Sequence, residues 1–172
     1  MMTTVYTAKT HENNPVPVSI EISVSSGIGI HVTGLSDKGM KESLLRTITA
    51  LQSSGYSIPG KKIVINIAPA DLEKNGEDYD IPIAIGLIAA SGQKELPFLK
   101  DYVLAGRLGL DGSIYEANNP EAAVKVAAAQ NMKGCILPLH SALQIKDKQG
   151  IDVWGLSNLN EVLKLLEEGE TF

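Results

Sequence analysis

The sequence predicts a single α/β domain of the α+β kind, a mixed sheet packed with helices. Three observations predict it. Period-two hydrophobic alternation fills the early part of the chain, a helix apolar on all sides sits at its centre, and strand and helix signals alternate afterwards. No internal repeat or long flexible linker interrupts the pattern, so residues 1–172 read as one domain. At 172 residues, 44% of them hydrophobic, the chain can bury a core without disulfide or metal staples.

Taken in order, Val16, Val18, Ile20, Ile22 and Val24 alternate with Pro17, Ser19, Glu21, Ser23 and Ser25, the pattern of a half-buried strand. Ser25-Ser26-Gly27 supplies a turn and Ile28, Ile30 and Val32 continue the alternation, which predicts a hairpin. From Ser36 to Ser54 the period becomes helical, with Met40, Leu44, Ile48 and Leu51 on one face, Ser36 as N-cap and Gly55 as the stop. Ile63, Ile65 and Ile67 alternate again as a strand. Residues 81–91 are apolar all round and predict a buried helix, with Asp80 as N-cap and Pro82 tolerated in the first turn, where amides have no intrahelical partner.

Tyr102 to Leu110 reads as a strand, and Asp111-Gly112 is a dipeptide favoured in type I′ hairpin turns. Asn119-Pro120 opens an alanine-rich helix running to about Gln130, with Pro at the first helical position. Short strands follow at Cys135–Leu137 and Val153–Trp154. The last helix spans Asn158 to Glu168, with Val162, Leu165 and Leu166 inward.

Charge and targeting signals narrow the function classes. A net charge of -5 and a pI near 5.2 argue against a generic nucleic-acid binder, and the basic spots Lys61-Lys62 and Lys146 with Lys148 are small. If nucleic acid is a partner, another module is expected to supply most of the contact. A single cysteine, Cys135, in an apolar run, permits neither a disulfide framework nor a zinc site. The N-terminus lacks a basic segment followed by an apolar core, and no apolar run approaches the ~20 residues of a membrane span. A cytoplasmic location with no membrane partner is the expectation.

Three chemistries are testable in the sequence. Gly55-Tyr56-Ser57-Ile58-Pro59-Gly60-Lys61-Lys62 nearly matches the phosphate-loop pattern GxxxxGK followed by Ser or Thr. It has Lys62 where the magnesium-holding hydroxyl belongs, and it follows a helix and precedes a strand, the reverse of the required order. A helix-to-strand connection is expected instead. Nucleophilic catalysis needs a hydroxyl or thiol with a base beside it. The loop 70–80 contains no Ser, Thr or Cys, Ser91 and Ser113 sit at a helix end and a hairpin turn, and His11, His31 and His140 are scattered, His31 facing outward on a strand. The acids Asp71, Glu73, Glu77, Asp78 and Asp80 cluster near Gly76, as hard cations require, but off the calcium-loop spacing. Asp71, Asp78 and Asp80 are the weak metal candidates; helix capping and the helix dipole account for Asp80, Asp78 and Glu77 equally well.

The residues then carry a family resemblance. Val5-Tyr6-Thr7, Gly34-Leu35 with Lys41-Glu42-Ser43, Ser54-Gly55 with Pro59, Asn66 through Lys74, Tyr79 through Gly86, Ala89-Ala90-Ser91-Gly92-Gln93 and Leu110-Asp111-Gly112 occur in one order over residues 5–112. On these segments the chain resembles the N-terminal domain of the magnesium-chelatase-like AAA+ ATPases of the ComM/YifB competence-protein type. The resemblance implies a domain similar to that of Lon proteases, in a two-layer, ribosomal-protein-like fold. It also implies an AAA+ ATPase module, absent from these 172 residues, that would hold ATP and magnesium, assemble as a homo-oligomeric ring and act on DNA in natural transformation. No cofactor is implied for the domain itself.

Aligned through Lys74-Asn75-Gly76, the Lon nucleophile falls on Asp78 and the dyad lysine on Glu121, so the resemblance implies degenerate catalytic positions and no peptidase activity. The chain departs from its family at Gly34-Leu35-Ser36, where Gly-Leu-Pro is the pattern, at Leu44-Leu45 in the helix, and at Ile114–Asn119, where the family carries a basic stretch. Three functions follow from this reading. The first is a non-catalytic accessory domain of an ATP-driven machine, serving assembly or substrate engagement, with its partner module in cis or in trans. The others are an independent nucleic-acid- or protein-binding module and, last, a cryptic peptidase.

Overall fold

The computed structural model describes residues 1–34, 37–69 and 77–170. Its elements in chain order are β1 (Met2–His11), β2 (Asn14–Ser25), β3 (Ile30–Thr33), α1 (Asp37–Ser53), β4 (Lys62–Ala68), α2 (Asp80–Ala90), β5 (Tyr102–Leu104), β6 (Arg107–Leu108), β7 (Ile114–Tyr115), α3 (Pro120–Ala129), β8 (Gly134–Pro138), α4 (Leu139–Leu143), β9 (Asp152–Leu156) and α5 (Leu159–Glu168). Seven strands form one mixed sheet in the order β3-β4-β2-β1-β5-β8-β9, and β6 and β7 form a small separate ribbon.

The sheet is organised by a hairpin absent from the sequence reading. β1 and β2 pair antiparallel from Met2↔Ser23 to His11↔Asn14. Glu12 and Asn13, at φ 49° and 64°, make the two-residue turn between them. The predicted hairpin of β2 with β3 does not form. The second edge of β2 takes β4 antiparallel, and β3 lies beyond it, parallel to β4 from Ile30↔Ile63 to Thr33↔Asn66. Alternation identifies both strands but says nothing about partners, and the intervening Ile28 is 84% exposed rather than part of the pattern. β5, β8 and β9 add on in parallel.

One face of the sheet carries Val5, Val18, Ile20, Ile22, Ile63, Ile65 and Ile67, all fully or almost fully buried, against α1, α2 and α5. This makes the expected two-layer arrangement. Helix α2 is enclosed from Asp80 to Ile88, as its all-apolar sequence predicts. α5 presents Leu159, Val162, Leu163, Leu165 and Leu166 to the same core, and Asn158 caps it by accepting from Glu161 N. On the far face α3 covers the β2–β1–β5–β8 region, around Ala8, Val103, Cys135 and Leu137, and α4 packs on β8 and β9 beside it. Toward β3 that face stays polar: Thr33 Oγ1 donates to Asn66 Oδ1 at 2.7 Å and Asn66 Nδ2 to Glu21 Oε1 at 3.1 Å, a ladder across three strands.

Three local expectations change. Tyr102–Leu110 is two strands, broken at Ala105-Gly106, so that β6 leaves the main sheet to pair with β7. The turn at Asp111-Gly112 is not type I′: only Gly112 has positive φ (87°), and Gly109 N donates to Ser113 O at 2.8 Å across a longer loop that Asp111 braces. Helix α1 turns Ser43, Thr47, Ala50 and Leu51 inward, leaving Leu44 and Ile48 only partly covered. Its predicted face is rotated because a buried polar contact, described next, outranks the apolar stripe. Ser36 and the Met40 side chain lie outside the described residues.

Candidate functional site at the start of the central helix

The strand-loop-helix that carries the family resemblance places Asp78 and Asp80 at the start of α2. A 3₁₀ turn, Glu77–Tyr79, leads into the helix. The residue flanking the helix is Tyr79, with no side-chain cap, so Asp80 is not the predicted N-cap but the first helical residue. Its side chain, wholly buried, points across to α1 and β6 instead. It accepts from Ser43 Oγ at 2.5 Å, Arg46 Nε at 2.7 Å, Arg46 Nη2 at 3.2 Å and Leu108 N at 3.1 Å. Both oxygens are engaged, and the bidentate arginine neutralises the charge. Burial still raises the carboxyl above its ordinary value, with Arg46, Ser43 and the Leu108 amide pulling it back.

Asp78 does different work. Its carboxylate accepts from Asn118 N at 2.7 Å and Asn119 N at 3.0 Å, with Asn119 Nδ2 at 3.4 Å. Its own carbonyl accepts from Gly106 N at 3.1 Å. A negative charge thus sits on the amides leading into α3, where the helix dipole favours it. Beside it, a polar cavity of about 270 Å³ opens toward Lys9 and Thr10 at the end of β1. Burial and the adjacent Asp78 both raise the Tyr79 phenol, which stays protonated.

Glu121 is the second residue of α3 and is exposed; it lines a separate cavity with Lys125 and residues of the 144–149 loop. The aligned dyad positions therefore face different cavities. Neither Asp78 nor Asp80 suits a metal ion, because amide and guanidinium donors already occupy their oxygens. Asp71 and Glu73 lie outside the described residues. Among the described residues no three His, Cys, Asp or Glu side chains group as a metal site.

The segment resembling a phosphate loop connects α1 to β4 as expected. Ser57 there is held by Gln93, its amide donating to Oε1 at 3.0 Å and its carbonyl accepting from Nε2 at 2.9 Å. Ser91 Oγ donates to Ile88 O, and Ser113 Oγ to Asp111, both structural roles. Cys135 is buried, its thiol pushed up to about 12. The sequence reading missed Ser43, Arg46, Asn118 and Asn119. A signal existed for the first pair: polar residues at i, i+3 and i+4 (Ser43, Arg46, Thr47) lie along one side of an otherwise apolar-patterned helix.

Comparison with known proteins places this geometry in a lineage. A family model described as "Subunit ChlI of Mg-chelatase" matches residues 20–141. The uncharacterized protein YifB of Escherichia coli strain K12 is 45% identical over 102 residues, 59% of this chain and 20% of that protein. Competence protein ComM of Haemophilus influenzae is 32% identical over 154 residues, 89% of this chain and 30% of ComM. An archaeal Lon protease of Methanocaldococcus jannaschii is 19% identical over 145 residues, 84% of this chain and 22% of the protease. The chain thus spans a fifth to under a third of the length of these relatives. No helix among the described residues is long and apolar enough to cross a membrane.

Proposed function

The chain belongs to the magnesium-chelatase ChlI-like family of the YifB and ComM type, and on that premise we propose that it is a non-catalytic accessory domain of an ATP-driven machine. The observation that carries the reading is the state of the first turn of α2. At the position aligned with a peptidase nucleophile, Asp78 is bonded to the amides of Asn118 and Asn119, and at the aligned lysine position Glu121 is exposed. An acceptor-only carboxylate tied to two amides cannot attack a carbonyl carbon as the missing hydroxyl would, and a glutamate cannot replace the lysine. The domain serves assembly of the machine or engagement of its substrate. ATP and magnesium belong, on this reading, to the partner module, in cis or in trans.

One relative is named a competence protein, and we extend that to a role in DNA processing during natural transformation, in the cytoplasm, by a ring-forming full-length protein. The acidic balance of this domain assigns most DNA contact to other parts of that protein. Deleting the region matching this chain from a full-length YifB- or ComM-type relative is expected to leave ATP hydrolysis in place while lowering ring assembly or DNA-dependent turnover. Unaltered assembly and turnover would sink the accessory role. Hydrolysis of unfolded casein by the isolated domain, lost on Glu121→Ala, would restore the peptidase reading.

A further inference from the structure

A cavity of about 490 Å³ lies on the partly covered face of the sheet, between its strands and the end of α3. Register builds its floor. Tyr6 stands opposite Ser19 and Ser19 opposite Ala68, so three neighbouring strands turn one row of side chains toward it. Val126 and Met132 supply the helix side, and Val126 is continuous with the far-face core around Ala8 and Val103. The lining is thus mainly apolar, the ring of Tyr6 included, which is 38% exposed. Lys100, in the turn before β5, is the one charged residue in that lining among those described. It enters no ion pair among the described residues. Glu21, next on the same side of β2, is already engaged by Asn66 Nδ2 at 3.1 Å.

We propose that this cavity binds a small apolar anion, a ring or short chain bearing one carboxylate, with its body on Tyr6 and Val126 and its head at Lys100. Size agrees, since pockets for such ligands span ~300–1,000 Å³ and are mostly apolar with a few polar groups. Charge agrees as well. A carboxylate leaves water only where a cation or donors receive it, and Lys100 has the Ser19 hydroxyl beside it in the same lining. A neutral apolar ligand would leave that ammonium unused. The backbone argues against a peptide. β1 lies between β2 and β5, and β2 between β1 and β4, so the main-chain groups beneath the cavity are spent within the sheet. A peptide laid there would bring an amide with every residue and find few partners for them. A ligand whose polarity is confined to one end meets no such cost.

The site belongs to this chain alone and is independent of the accessory role. Calorimetric titration of the 172-residue chain with cinnamate and with its neutral counterpart, cinnamyl alcohol, tests it, with amide correlation spectra to locate the bound probe. The expected result is one saturable site for cinnamate, with the alcohol weaker by about threefold or more. Amide shifts should centre on Ser19, Val126 and Met132. Lys100→Gln should bring cinnamate down to the level of the alcohol and leave the alcohol unchanged, whereas Tyr6→Ala should weaken both. Lys100 is exposed, so its variant should match the parent in circular dichroism and thermal melting, and it carries the test even if Tyr6→Ala melts early. Failure of cinnamate to saturate by concentrations on the order of 10 mM overturns the proposal. So do equal binding of the two probes, cinnamate binding unmoved by Lys100→Gln, or shifts confined to another part of the molecule.

Discussion

Asp80 shows how one buried carboxylate decides the placement of three elements. It ties α1, through Ser43 and Arg46, and β6, through the Leu108 amide, to the start of α2. Removing one partner of a buried ion pair leaves a charge without compensation, so Arg46→Ala should lower unfolding free energy by ~3–5 kcal/mol in urea denaturation. Arg46→Met, which keeps the aliphatic volume, should lose nearly as much. Burial raises the Asp80 carboxyl above 3.8 in the folded state, so the folded protein holds that proton more tightly than the unfolded chain. Its contribution is then fully present below 3.8 and is lost as pH rises through the folded value. Asp80→Asn should remove that falling component from the stability–pH curve, and a curve unchanged in slope over the window just above pH 3.8 would refute the assignment. At this scale the sequence was misleading. A carboxylate before an apolar run looks like a cap, and only the packing of α1 shows a stronger set of donors elsewhere.

Among the elements, those whose signal is complete within their own residues were legible: α5 with its Asn158 cap, β4 with Ile63, Ile65 and Ile67 inward, and α2. β1 was not. Its inward face includes Thr7, buried despite its hydroxyl, and its other face is half covered by α3, so neither side reads as a clean stripe. Pairing, too, is a property of two segments, which is why β3 was assigned to the wrong neighbour. The family's Gly34 also becomes intelligible here. It lies at φ 89°, and a Cβ would stand 2.0 Å from the Ile67 carbonyl oxygen, so only glycine passes β4 at that point. Gly86 within α2 has a different reason. A Cβ there would meet Ile22 Cδ1 at 2.5 Å and Val5 Cγ2 at 3.1 Å. Gly86→Ala should therefore destabilise by ~1–3 kcal/mol through overpacking, against the ~1 kcal/mol gain that helix propensity alone predicts. A thermal melt shifted upward would show that the sheet yields instead.

The molecule as a whole has one face of its sheet sealed by three helices and the other covered only in part, by α3 and α4, with a polar ladder at the β3 end. The sequence identified the family and the two-layer class, because those depend on residue order along one segment. It could not place a groove such as the one Tyr115 and Leu139 line, because those residues are 24 positions apart and come together only when β7 and α4 are assembled. The aligned dyad positions were legible as letters but not as geometry. Asp78 bridges the loop before α2 to the start of α3, a connection spanning 40 residues. Asp78→Ser with Glu121→Lys, which sets a serine and a lysine at the two positions of the proposed Lon alignment, should yield no casein hydrolysis and a lower melting temperature, read by fluorescence assay and calorimetry. Appearance of a lysine-dependent activity in that double variant would contradict it. Asp78 also sets how much change the two segments tolerate. Because one carboxylate clamps the loop before α2 to the start of α3, a replacement without an acceptor of the same reach loosens both segments at once.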